Sequence, residues 1–314
     1  MESRYQLEAL LARGEFGTFQ PQLGIHLRYA HFWTDASAPK GHVVLANGRS
    51  EFIEKYVEVY GLLLDRGWSV SVMDWRGQGL STRLLPNRHK GHIDSFDAYL
   101  SDFDAFVAGV VDPVRTSGKL VLLGHSMGCH IGLRYLSECS DKIHFDRAVF
   151  SSPMVGVETP IPEWLVLMVG AVARRVGLDG LYAAGGDYGI RYRTFNTNLL
   201  TRDPKQFQRT MGFIDANPEL AIGGLTVGWL CAALRSMRLC DQPGYFTKAE
   251  TPVLMVCAEN DQRVSNSATQ DLGVRLEQVS VVTILDAEHE LMMERDSVRS
   301  RFWSFFDDFV GRAF

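Results

Sequence analysis

Cysteine is scarce and unpatterned. Five cysteines stand among 314 residues, at positions 129, 139, 231, 240 and 257, with no C-x-x-C pair and no Cys/His cluster of zinc-ligand spacing. That leaves no disulfide framework and no structural zinc site to argue from, and it predicts a reducing compartment, the cytoplasm. A basic excess is missing too: Lys+Arg 32 against Asp+Glu 37 gives a formal charge of -5. With no spare cations to neutralise a phosphate backbone, a nucleic-acid partner is not expected. Long apolar runs are also absent. The longest without charge, residues 164–173, falls far short of the roughly 20 residues of a membrane-spanning helix. Residues 1–16 carry charges and no apolar stretch, so no secretory leader is read there. There is no internal repeat and no low-complexity tract.

What is present is a rhythm. The hydrophobic share of 46% and charged share of 22% are those of an ordinary globular chain. The length allows one large domain or two of roughly 100–200 residues. Apolar runs at 42–45, 68–73, 119–123, 145–150, 252–258 and 280–285 read as buried strands. Between them lie helical patterns: Ile53, Tyr56, Val57, Tyr60, Leu63 and Leu64 up to a stop at Gly67, then 96–111, 127–139 and 268–279, with Val298, Phe302, Phe305 and Phe309 on a last helix. Strands alternating with helices predict an α/β fold, a mostly parallel sheet covered on both faces. Residues 15–19 and 25–33 have no helix between them and are expected as an antiparallel hairpin on the sheet edge.

Residues 154–241 break the rhythm. Pro153, Pro160 and Pro162 open the segment and Pro243-Gly244 closes it. Helical patterns at 164–176, 204–214 and 228–237 lie between, with no strand. The stretch is too long for a loop. It is read as a helical cap inserted between two strands, leaving 1–153 and 242–314 as the core.

Gly124-His125-Ser126-Met127-Gly128 follows a strand directly and opens a helix, the context of a nucleophile elbow. A sharp turn brings backbone close to backbone, where only glycine fits. A nucleophilic serine needs a base and a group that orients the base, and behind such an elbow they follow in the order acid, then histidine. Of the histidines after Ser126, His130 lies on the elbow's own helix and His144 at the far end of the sheet. His289, past the strand ending at 285, stands at the carboxyl end with Ser126. Asp261, past the strand ending at 258, is the expected acid, with Glu259 as nearest rival and Asp286 behind it. The N–H groups of Met127 and of Arg49, in the turn Asn47-Gly48-Arg49, are the expected oxyanion donors. Asp74 to Ser81, with two glycines, reads as a tight loop bordering the site.

These residues give the chain a resemblance to the α/β-hydrolase superfamily. Within it, the chain resembles the bacterial lysophospholipase L2 group and its relatives among the monoacylglycerol lipases. The match is carried by Gly48-Arg49-Ser50-Glu51 with Lys55-Tyr56, the Asp74 to Ser81 loop, Arg83-Leu84-Leu85, Gly91-His92 and the elbow. Asp261 and His289 stand where that family keeps its acid and base. Monoacylglycerol lipases usually have His-Gly where this chain has Asn47-Gly48, which pulls the reading toward lysophospholipases. The resemblance implies a helical cap over the site and a serine hydrolase of single-chain lipid esters, without metal or cofactor. The alternatives are a monoacylglycerol lipase or general carboxylesterase, and a non-catalytic binding protein on the same fold. The apolar stretch from Ile161 to Val172, followed by Arg174-Arg175, can line an acyl tunnel through Trp164, Leu167 and Met168, or touch a membrane peripherally with its arginines at the headgroups. Ordinary packing of a cap helix is the plainer alternative. The expected partner is a small amphiphilic ester.

Overall fold

Runs of Val, Leu and Ile form the centre of the computed structural model, which describes residues 6–139 and 141–312. Residues 1–5 of the stretch read above for a leader lie outside the described residues. The chain begins with α1 (Leu7–Ala12) and a hairpin, β1 (Glu15–Gln22) and β2 (Ile25–Phe32). Then β3 (Gly41–Ala46), α2 (Val57–Asp65), β4 (Trp68–Met73), α3 (Phe96–Phe106), β5 (Lys119–His125), α4 (Met127–Glu138) and β6 (Arg147–Ser151) alternate. An excursion follows: α5 (Glu163–Arg175), β7 (Tyr182–Ala184), α6 (Pro204–Ala216), β8 (Leu225–Thr226) and α7 (Val227–Cys240). The sheet resumes with β9 (Val253–Ala258), α8 (Asn266–Arg275), β10 (Val279–Ile284) and α9 (Asp296–Gly311).

The eight-stranded sheet runs β1-β2-β4-β3-β5-β6-β9-β10. The hairpin is antiparallel and sits at the edge, with β2 antiparallel to β4; every other pairing is parallel. All residues of β3, β4, β6 and β9 are buried, as strands covered on both faces must be. Alternation divides them. Val44, Leu120 and Leu122 face one layer with Phe103 of α3 and Ile131 and Tyr135 of α4. Val43, Leu45, Val121 and Leu123 face the other with Tyr60 and Leu63 of α2 and Phe302, Trp303 and Phe306 of α9. Each large side chain so buried contributes about 1.5–3 kcal/mol.

Two features of the excursion differ from the sequence reading. No strand is expected there, yet β7 and β8 pair antiparallel, Tyr182 with Thr226 and Ala184 with Leu225. Strands of three and two residues are too short to show a period of two. Helix α7 buries Trp229, Ala232, Ala233, Leu234 and Met237 in the layer of α3 and α4. It supplies the helical crossover that parallel β6 and β9 need.

Candidate active site

All the parallel strands end at one rim, and the strained backbone gathers there. The non-glycine residues with left-handed φ among those described are Ser50, Ser126, Ser152 and Asp286, at 62°, 50°, 47° and 58°. Each lies just past the carboxyl end of a strand: β3, β5, β6 and β10. Such conformations cost about 1–3 kcal/mol each and persist only where the surroundings impose them. At Ser126 the cause is visible. Its N–H donates to the Ser151 carbonyl at 3.0 Å. A Cβ on Gly128 would lie 2.0 Å from the Ala46 carbonyl oxygen, and one on Gly124 would lie 2.8 Å from the Phe150 ring.

His289 meets Asp261 on the same rim, Nδ1 to Oδ2 at 2.7 Å. The other carboxylate oxygen accepts the N–H groups of Arg263 and Val264 at 2.8 and 3.2 Å. Burial raises the Asp261 pKa, but the His289 bond and charge and these N–H groups outweigh it and hold it below the usual range. The Ser152 hydroxyl donates to the His289 carbonyl at 2.6 Å. The ring of His289 lies 4.8 Å from that of His125, the residue before Ser126. Burial pushes His125 down to about 4, so this neighbour is neutral at pH 7. The other candidates are engaged elsewhere. Glu259 accepts the Asp286 N–H, Asp286 pairs with Arg202 and Arg295, and His130 bonds Ser236.

Beyond β3, Asn47-Gly48-Arg49 approaches the elbow. Trp75 Nε1 donates to the Asn47 carbonyl at 2.8 Å, and Gly48 N–H donates to Glu51 at 2.5 Å. Gln78, from the Asp74 to Ser81 loop, accepts the Ser50 N–H and reaches Met127 Sδ with its amide at 3.8 Å. The N–H groups of Arg49 and Met127 have no acceptor among the described residues.

The rest of the GRSE…KY run has a structural reason that was not read from the sequence. Lys55 Nζ donates to Glu51 at 2.7 Å and to Glu290 at 2.6 Å, and the Tyr56 hydroxyl donates to Glu51 at 2.5 Å. All are buried. Burial opposes the Glu51 charge, but Lys55 overcomes it and draws its pKa from 4.5 to about 2. The two carboxylates raise Lys55 in turn. Glu290 follows His289 directly, so one ammonium ties the turn after β3 to the histidine loop. The i, i+4 spacing of Glu51 and Lys55 was a visible signal; Glu290, far along the chain, was not.

A sequence model of the family described as "Serine aminopeptidase, S33" matches residues 37–296. The chain belongs to that family. Its relatives include the probable lysophospholipase L2 of Haemophilus influenzae, 30% identical over 278 residues covering 88% of this chain and 85% of that one. Lysophospholipase L2 of Escherichia coli K12 is 29% identical over 269 residues, 82% and 76% of the two chains. The structure of a soluble variant of monoglyceride lipase from Saccharomyces cerevisiae, solved with a substrate analog, superposes with a TM-score of 0.75. It has 16% identity and covers 99% of this chain and 98% of that one. The S33-family chain is thus an ester hydrolase with the α/β-hydrolase fold.

In this family member, α5 turns Leu167 toward the core and leaves Trp164 and Met168 outward, 61% and 51% exposed. No described helix is long and apolar enough to cross a membrane. Among the described residues one group could offer three ligands to a cation: His92, Asp94 and Asp179, with ligand atoms within 4.8 Å of one another. It shares no residue with the rim centre. His92 already engages Thr226 at 3.1 Å and Asp94 at 3.3 Å.

Proposed function

We propose that the chain hydrolyses the carboxylic ester of a single-chain lipid, a lysophospholipid foremost, through Ser126, His289 and Asp261. The observation that carries this reading is the 2.7 Å Asp261–His289 bond beside a strained serine elbow. Ser126 attacks the carbonyl carbon while His289 takes the hydroxyl proton through its free ring nitrogen. Asp261 holds the tautomer and steadies the imidazolium. The N–H groups of Arg49 and Met127 receive the oxyanion, a role worth about 10²–10³ per donor in rate. His289 then protonates the leaving alcohol. Water repeats the cycle on the acyl-enzyme and releases the fatty acid.

Residues 154–241 are the proposed cap, with α7 serving also as the sheet's crossover. Leu167 is the α5 residue proposed to border the acyl chain. Trp164, Met168 and Val172 recur every fourth residue on the exposed side of α5, Val176 caps its end, and Arg175 lies in its last turn. That pattern supports peripheral contact with a membrane surface, apolar face down and Arg175 at the headgroups. The lysophospholipase L2 relatives favour a lysophospholipid over the second reading, a monoacylglycerol lipase or general carboxylesterase.

The test joins fluorophosphonate labelling of wild type and Ser126→Ala to a panel of substrates. The panel holds a lysophosphatidylcholine, the matching monoacylglycerol, p-nitrophenyl acetate and an aminoacyl p-nitroanilide. Labelling of wild type alone, with kcat/KM highest for the lysophospholipid, is expected. Absence of labelling would return the chain to a non-catalytic binder, and equal rates on acetate would make it a small-ester esterase.

A further inference from the structure

A cation without a counter-charge lies beside the turn after β3. The Arg49 guanidinium forms no ion pair among the described residues. It donates to Ser50 Oγ at 2.9 Å and to the carbonyls of Gly223 and Gly224 at 3.2 and 2.7 Å. Its carbon stands 5.2 Å over the Trp229 ring, and its Nε has no acceptor. Burial pushes its pKa down to about 10, opposed only by the phenols of Tyr99, Tyr192 and Tyr182. The nearest carboxylate in sequence, Glu51, is taken by Lys55 and Tyr56. Beside it the Tyr99 hydroxyl faces Trp229 and Gln78, neutral groups that bring no negative charge. Trp229 is 5% exposed and Tyr99 0%. Interiors rarely leave polar groups unpaired, and an unpaired charge is costlier still. A buried guanidinium held only by neutral acceptors, with its Nε unpaired, describes a site for an anion.

We propose that the Arg49 side chain recognises the headgroup phosphate of a lysophospholipid, exchanging the Gly223 and Gly224 carbonyls for phosphate oxygens. The inference rests on the ester-hydrolase reading above and names its specificity residue. The planar guanidinium fork suits phosphate. Covalent chain length suits it too. The backbone N–H of Arg49 sits in the proposed oxyanion turn, and its guanidinium lies one side chain away. In a lysophospholipid the phosphate lies one glycerol away from the scissile carbonyl. One residue therefore reaches both ends of the reacting head. A monoacylglycerol carries the same ester without the anion and gains nothing from the guanidinium.

The experiment compares kcat/KM of wild type, Arg49→Gln and Arg49→Lys on lysophosphatidylcholine, lysophosphatidylglycerol and the monoacylglycerol of the same acyl chain. The readout is the lysophospholipid-to-monoacylglycerol ratio, since any shift of the turn slows all three alike. The ratio should fall at least tenfold in Arg49→Gln, chiefly through KM, and recover partly in Arg49→Lys. Both lysophospholipids should fall together, because they share the phosphate. An unchanged ratio overturns the proposal and leaves Arg49 as a tie to the cap. A loss confined to one headgroup overturns it as well. If free phosphate were the ligand, inorganic phosphate would slow wild-type monoacylglycerol hydrolysis while the ratio stayed put, again against the proposal. Fluorophosphonate labelling of wild type reports separately on the triad.

Discussion

Two apolar stretches of this chain meet opposite fates. Strand β3 buries all six of its residues, whereas α5, thirteen residues and almost free of charge until its last turn, buries only Gly170. Composition does not separate them. Neighbours do: β3 lies between β4 and β5 with helices over both faces, while α5 packs chiefly against α7 on one side. Gly170 marks that side, since a Cβ there would lie 2.1 Å from Cys231 Sγ. An apolar run thus states that a surface wants cover, not what covers it. At the rim the cover is protein and the geometry is exacting; on α5 most of the apolar surface stays exposed.

The comparison breaks if substitutions in the two regions behave alike. The largest effects belong to the rim. Ser126→Ala and His289→Ala should each lower kcat by on the order of 10⁶ with thermal unfolding little changed, because triad members act as a unit. A folded variant that kept a tenth of the wild-type turnover would remove that residue from the mechanism. Next comes Asp261→Asn, expected to cost on the order of 10⁴ in kcat by releasing the imidazole. Glu259→Gln, which touches only a backbone N–H, should do far less; the reverse order would move the acid by two residues.

Lys55→Met is the third. It strands two buried carboxylates and should cost about 3–5 kcal/mol in chemical denaturation. It also changes the response to acid. The folded pKa of Glu51 is depressed from 4.5 to about 2. The stability it brings is therefore full above pH 4.5 and lost as pH falls toward 2. Wild type should show that loss in acid titrations, and Lys55→Met should show less of it. The smallest effect on the fold belongs to α5. Trp164→Ser with Met168→Ser should change unfolding by no more than about 0.5 kcal/mol. The same pair should weaken binding to anionic vesicles and slow hydrolysis of vesicle-borne substrate, leaving p-nitrophenyl acetate turnover as it was. Loss of stability instead would show that the helix face is packed after all.

The same contrast governs how much was legible beforehand. The sheet could be read because burial on both faces writes uninterrupted runs such as Val43 to Ala46 and Val253 to Ala258. Asp261 and His289 could be read because strand ends and chain order place them together. The tie from Lys55 to Glu290 could not, since its partners lie on remote segments and a buried ion pair leaves no periodic trace. The direction of the Arg49 side chain was equally silent, because its acceptors are backbone carbonyls of glycines. Strands β7 and β8 escaped through shortness, and α7 was assigned by its place in the sequence rather than by the core layer it fills.

Residues 155–226 have both ends on the rim. Met154 donates its N–H to the Ser126 carbonyl at 3.2 Å, and Trp229, two residues into α7, lies under Arg49. Sheet and crossover helix close without the piece between these anchors, but the rim turns lean on it: Leu200 accepts the Glu290 N–H at 2.8 Å, Thr201 donates to the Met293 carbonyl at 2.8 Å, and Gly223 and Gly224 accept from Arg49. A gene that exchanged that stretch for one of another length and shape would therefore alter the support of the histidine loop together with the substrate.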